Sequence, residues 1–185
     1  CAEFGFGITT ASRLQGVTVN PWDNERSPGG SSGGESALIA AGGSPLGLGT
    51  DYGGSLRWPA HSTGIFALRP TPGRIPGSGQ LPGAGGSTGV SSPALPDPWS
   101  LQGTLQVIGP LARTVTDLEI ALRLLSGGDE GDMLCTTPPY APGVEVFDRS
   151  MAVSWCVNDG ETPVCDDIAE LIESVARQMG RDGYR

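Results

Sequence analysis

Read as a pattern of apolar and polar positions, the chain predicts three helices and three strands. The run Glu35–Ala41 (ESALIAA) follows a glycine-serine stretch and is apolar enough for a buried helix. Thr116-Asp117-Leu118-Glu119 has the spacing of a capping box, in which the Thr oxygen and the Glu carboxylate satisfy free N–H groups. Leu118, Ala121, Leu122 and Leu125 then share one face, and Gly127-Gly128 stops the helix. A third helix is predicted from Asp166 to Met179. Its stripe is Ile168, Leu171, Ile172, Val175 and Met179, its first turn places Asp166 and Asp167 at the positive end of the dipole, and Gly180 closes it. The strands expected are Leu46–Thr50, Gly64–Leu68 and Met151–Val157. The last, MAVSWCV, is a continuous apolar run of the kind buried on both faces of a sheet. Strands alternating with helices give an α/β class. Pro59-Ala60-His61-Ser62-Thr63 reads as a loop with His61 as a polar structural residue.

Composition changes the picture in two places. Between residues 76 and 100, 16 of 25 positions are Gly, Pro or Ser, which predicts a long loop rather than a ladder or a helix. Of the 20 acidic residues, 12 fall in 126–185 against only 4 of the 11 basic ones, so the nearly neutral charge of the first part gives way to an acidic surface. The organisation expected is a core over 1–129 containing the 76–100 loop, and an acidic loop with a strand-helix unit of the same domain over 130–185. A length of 185 residues suits one domain.

Charge and residue usage narrow the chemistry. A net charge of −9 argues against nucleic acid as a partner, and no apolar run approaches the ~20 residues of a membrane span. No basic segment leads into an apolar one as in a secretory signal, so the four cysteines are read as free thiols and the location expected is cytoplasmic. All 11 basic residues are arginine. Without lysine this chain supplies neither a phosphate-loop lysine, nor a Schiff base, nor a lysine general base. One histidine and no C-x-x-C pair leave no metal site to expect.

The densest chemistry lies in SPGGSSGGESALIAAGGSPLGLGTDYGGSLRWP, residues 27–59. Gly29 to Gly34 form a tight turn that opens a helix, and glycine there lets backbone approach a ligand closely. Gly49-Thr50-Asp51-Tyr52-Gly53-Gly54-Ser55 sets a second glycine-flanked serine after a strand, where consecutive N–H groups can share one concavity. Gly30-x-Ser32-x-Gly34 and Gly85-x-Ser87-x-Gly89 match a nucleophile elbow by spacing alone. That motif needs an acid and then a histidine further on, and no histidine follows Ser87, so a Ser-His-Asp triad is rejected.

Asn20-Pro21-Trp22-Asp23, SPGGSSGGE and GSPLGLGTDYGGSLRWPA, continued by GIFALRPTPGR (64–74) and GPLARTVTDLEIAL (109–122), resemble the amidase signature family of serine hydrolases. The resemblance implies a mixed central β-sheet flanked by helices, incomplete in this chain, and a Ser–cis-Ser–Lys triad. It implies Ser55 as nucleophile, Ser31 as bridging serine after a cis bond from Gly30, and Tyr52, Gly53 and Gly54 as the backbone of an oxyanion hole. Ser32, Thr50, Asp51 and Arg57 match motif positions that brace the site, and Phe6 is a candidate for the acyl pocket. The activity implied is hydrolysis of a small or hydrophobic carboxamide, without a cofactor, with an oligomer of the full-length enzyme compatible with it. The family's lysine lies upstream of the serine-glycine block and is absent here. The expectation is therefore an excised fragment of a longer enzyme, inactive alone. A glutaminase subunit of a tRNA-dependent amidotransferase and a non-catalytic pseudo-amidase remain the alternatives.

Overall fold

A computed structural model of the chain describes residues 1–78, 80, 105–130, 132, 135 and 152–184. Most of the 76–100 segment lies outside the described residues. The chain divides into two compact units, Cys1–Pro142 and Gly143–Arg185.

The first unit opens with a 3-10 turn (Glu3–Gly5) and a two-stranded antiparallel ribbon, β1 (Ala11–Ser12) and β2 (Gly16–Val17). Next come α1 (Gly33–Ala40), β3 (Leu46–Asp51), α2 (Arg57–Thr63) and β4 (Phe66–Ala67), and then β5 (Val107–Ala112) and α3 (Val115–Leu125). β5 is the middle strand of a β3–β5–β4 sheet, antiparallel to both neighbours, with Asp51 opposite Val107 and Ala67 opposite Leu111. Ile39 of α1, Leu56 before α2 and Leu111 of β5 are fully buried, with Ile65 and Ala67 packed against them. This small core fixes α1 and α2 against the sheet. Their approach is close because small side chains meet: the Ser36 hydroxyl donates to Pro59 O at 3.0 Å, and Thr63 also donates to Pro59 O, at 2.9 Å.

Several expectations are corrected here. Residues 59–63 form most of α2 rather than a loop. Pro59 lies in the first turn, where its missing N–H costs nothing, and Gly64 ends the helix in the left-handed region at φ 72°. Gly64 is thus a cap, and the strand expected over Gly64–Leu68 contracts to Phe66–Ala67. The cap of α3 is Thr114 rather than Thr116: its hydroxyl oxygen accepts from the N–H of Asp117 at 3.1 Å and donates to the Asp117 carboxylate at 2.7 Å. The cap thus lies two residues earlier than expected, and the Asp117 carboxylate bonds the Thr114 hydroxyl.

In the second unit α4 spans Asp166–Arg181, and Gly180 lies inside it rather than ending it. The residues Ala152–Val157 form no strand, and all but Val157 are exposed. A ladder needs a neighbour, and among the described residues this unit offers no strand to pair with. No described helix is long and apolar enough to cross a membrane.

Candidate active site

Two turns meet under one cavity. The first is the start of α1, where the Gly30–Ser31 peptide bond is cis. Gly29 has φ 79°, and a Cβ on it would come within 2.6 Å of Trp58 Cδ1. A Cβ on Gly30 would run into the backbone of residues 7–9, reaching Ile8 C at 2.8 Å. The glycines are therefore required by close approach on both sides. The Thr10 hydroxyl donates to Gly29 O at 2.7 Å, and the Ala2 N–H donates to Ser31 O at 3.1 Å. Ser31 and Ser32 are both buried.

The second turn leaves β3 at Asp51. The two are stitched directly: the Ser32 N–H donates to Ser55 O at 3.3 Å, and the Ser32 hydroxyl bridges Thr50, donating to its carbonyl at 3.4 Å and accepting from its N–H at 3.3 Å. Ser32, the residue at the N-cap of α1, thus spends its side chain on β3 and not on its own helix.

Asp51 holds the second turn from below. Its side chain is fully buried, and it accepts from the N–H groups of Gly54 (2.8 Å), Leu56 (3.1 Å) and Arg57 (3.5 Å). The Arg57 guanidinium closes a two-pronged pair on it, Nε to Oδ2 and Nη2 to Oδ1, both at 3.0 Å. Burial pushes the Asp51 carboxyl up, but the Arg57 guanidinium and the Gly54 and Leu56 N–H groups outweigh that, and its pKa lies below 3.8. The same pair raises Arg57. One consequence bears on the expected oxyanion hole: the Gly54 N–H is committed to Asp51.

The cavity between the turns has a volume of about 990 Å³. Gly30, Ser31, Ser32, Thr50, Ser55 and Arg57 line it, as do Tyr52, Gly53 and Gly54; Asp51 lies behind its wall. Phe6 lines it too, beside Ile8, Leu48 and Trp58, all four at least half exposed. The structure thus gathers every predicted site residue around one space. It adds His61, which faces the cavity from α2 with its ring centroid 6.1 Å from that of Trp58. Reading 59–63 as a loop hid this, because only a helix brings residues 58 and 61 to one side. The Asn20-Pro21-Trp22-Asp23 motif supports the same helix from outside: Asn20 Nδ2 donates to Ser62 O and Trp22 Nε1 to Thr63 O, each at 2.7 Å, capping carbonyls α2 leaves unpaired.

A buried cis turn, a serine on an adjoining glycine turn and a braced carboxylate meet at one cavity. The comparisons with known proteins give the family. The Amidase family model covers residues 1–185, and the chain belongs to the amidase signature family. It is 43% identical over 145 residues to a glutamyl-tRNA(Gln) amidotransferase subunit of Roseiflexus castenholzii, covering 78% of the chain and 26% of that protein. It is 41% identical over 181 residues to fatty-acid amide hydrolase 1 of Sus scrofa, covering 97% of the chain and 29% of the relative. A bacterial aryl acylamidase of the amidase signature family superposes with a TM-score of 0.77 at 33% identity, over 98% of this chain and 34% of that one. The α/β fold is therefore that of the amidase signature enzymes, and the chain spans a quarter to a third of the length of these relatives.

Proposed function

We propose that this chain carries the acyl-transfer centre of an amidohydrolase that cleaves the C–N bond of a hydrophobic carboxamide. The observation that carries the reading is the stitching of the cis Gly30–Ser31 turn to the Ser55 turn under a common cavity. A serine hydroxyl is a weak nucleophile and needs a base for its proton. In this reading Ser55 attacks the carbonyl while Ser31 takes its proton and passes one on to a lysine from outside these 185 residues, since no arginine deprotonates under such conditions. The oxyanion that develops is met by the N–H groups of Tyr52, Gly53 and Ser55, with Gly54 serving as the anchor to Asp51. As the tetrahedral adduct collapses, a proton returns through Ser31 to the departing nitrogen, the C–N bond breaks to release ammonia or an amine, and water then releases the acid from Ser55. Phe6, Ile8, Leu48 and Trp58 offer apolar surface to the acyl group. The likeness to an amidotransferase component supports a second use of the same centre, releasing ammonia from glutamine to a partner.

The test is fluorophosphonate labelling of the full-length protein, read by intact mass. Wild type should gain one adduct, Ser55→Ala none, and Ser31→Ala one at a much lower rate. A folded wild type that stays unlabelled would refute the reading and favour a ligand-binding relative without catalysis. Glutamine-dependent ammonia release that needs a second protein would select the amidotransferase use.

A further inference from the structure

We infer that Arg69 is a positioning residue for the reaction, acting on the nucleophile turn through Asp51. The inference rests on the function proposed above. Arg69 follows β4 by two residues and reaches across the end of the sheet. Its Nε lies 3.5 Å from Asp51 Oδ1, and its Nη2 donates to Leu105 O at 2.7 Å. It therefore ties together the last residue of β3, the approach to β5 and the segment after β4 at the end of the sheet where the serine turn begins.

The two arginines on Asp51 are not equivalent. Arg57 divides its guanidinium between both carboxylate oxygens and is 58% exposed, so water screens much of its charge. Arg69 is 23% exposed and approaches Oδ1 alone. Oδ1 is also the oxygen that accepts from the Gly54 N–H. Whatever sets the direction of Oδ1 sets where Gly54, and with it the backbone from Tyr52 to Ser55, stands in the cavity. Arg69 is the partner that fixes Oδ1 from the sheet side. A buried carboxylate that loses one of two cations can still be neutralised by the other, but its Oδ1 loses the one cationic contact that comes from the sheet, and the fine placement of the turn loosens. The consequence falls on the transition state rather than on substrate binding, because Arg69 does not line the cavity while the N–H groups it steadies do.

The experiment compares Arg69→Met, Arg69→Gln and Arg69→Lys in the full-length protein with wild type. Amide turnover and the rate of Ser55 labelling by a fluorophosphonate are measured on samples whose folding is checked by circular dichroism. Arg69→Met should lower kcat and the labelling rate by up to about 100-fold, the scale of a misplaced reacting group. KM should stay within about threefold of wild type, since the lost interaction acts only in the transition state. Arg69→Lys, which keeps a cation within reach of Oδ1, should recover a large part of both rates, and Arg69→Gln, which keeps a donor for Leu105 O without charge, should not. Should the Met variant fail to fold, the Lys and Gln variants decide by the same ranking. Wild-type rates in folded Arg69→Met, a rise in KM with kcat unchanged, or equal rates in the Lys and Gln variants would overturn the inference. A wild type that does not label fails the proposed function instead, so the two failures are distinct.

Discussion

The sharpest test of the site's construction is Asp51→Asn. The change keeps size and shape but removes the charge, and it turns one acceptor into an NH2 group facing donors. On Oδ1 those donors are the Gly54 N–H at 2.8 Å and Arg57 Nη2 at 3.0 Å, with Arg69 Nε 3.5 Å away; on Oδ2 they are the Leu56 N–H at 3.1 Å and Arg57 Nε at 3.0 Å. Either orientation of the amide leaves at least one backbone N–H and one guanidinium arm without an acceptor. Breaking one side of a buried ion pair costs about 3–5 kcal/mol; Arg57 is largely exposed and regains water, whereas Arg69 is 23% exposed and does so less, so the loss here should fall in that range. The assay is urea unfolding of the full-length protein followed by circular dichroism, repeated from neutral pH into acid. The Asp51 carboxyl is held below its ordinary value in the folded state. Its stabilising effect is therefore complete above the unfolded pKa, near 3.8, and drains away as pH falls below that value and through the lower folded one. Asp51→Asn should be less stable than wild type at pH 7 and should lose less stability than wild type over that acid limb. Unchanged midpoints at pH 7, or parallel acid limbs, would refute the account of Asp51 as the anchor of the Ser55 turn.

Two further outcomes follow from other parts of the fold. Thr114→Ala should cost α3 about 1 kcal/mol, the usual worth of an N-cap, whereas Thr116→Ala should stay within about 0.5 kcal/mol. Equal shifts in their urea midpoints would contradict the cap at Thr114. Cys135 is buried, with Sγ directed at the carbonyls of Gly127 (2.8 Å) and Gly73 (3.2 Å), and burial, aided by Asp132 and Asp129, pushes its thiol pKa up. Iodoacetamide at pH 8 should therefore modify exposed Cys1, Cys156 and Cys165 first and Cys135 last; peptide mapping that finds Cys135 in the fast set would refute this.

The parts of the fold that local pattern could reveal are those whose stability is local. α3 and α4 are legible from apolar spacing and α1 from its apolar content behind the glycine-serine stretch, and the strand expected over Leu46–Thr50 is β3, which runs one residue further to the Asp51 carboxylate. β5 is not among the expected strands, and it carries a Gly109-Pro110 pair of the kind that punctuates turns. The strand tolerates Pro110 because the β4 pairing covers only Leu111 and Ala112, and the Pro110 carbonyl still accepts from Leu68 N at 3.0 Å. A Cβ on Gly109 would meet Leu56 Cδ1 at 2.7 Å, so a residue that looks like a breaker is a packing requirement. The run from Met151 misled in the opposite direction: it has the composition of a buried strand, but composition does not supply a neighbour. At the site, the serines and glycines were marked by their own spacing. Arg69 carried no such mark, because its link to Asp51 is made by sheet register across 18 positions of chain.

The order β3–β5–β4 also sets a schedule. β3 ends in Asp51 and leads straight into the serine turn, yet its sheet partner is β5, whose pairing runs from Val107 opposite Asp51 to Ala112 opposite Leu46. During synthesis at about 5–20 residues per second, β3 waits several seconds as an unpaired edge before that partner leaves the ribosome. Arg69 emerges early in the interval, but its second anchor, Leu105, only at its end. The serine turn is therefore made well before the strand that sets it. A nascent chain halted before residue 105 would display the serine motif in full while lacking the strand that holds it in place.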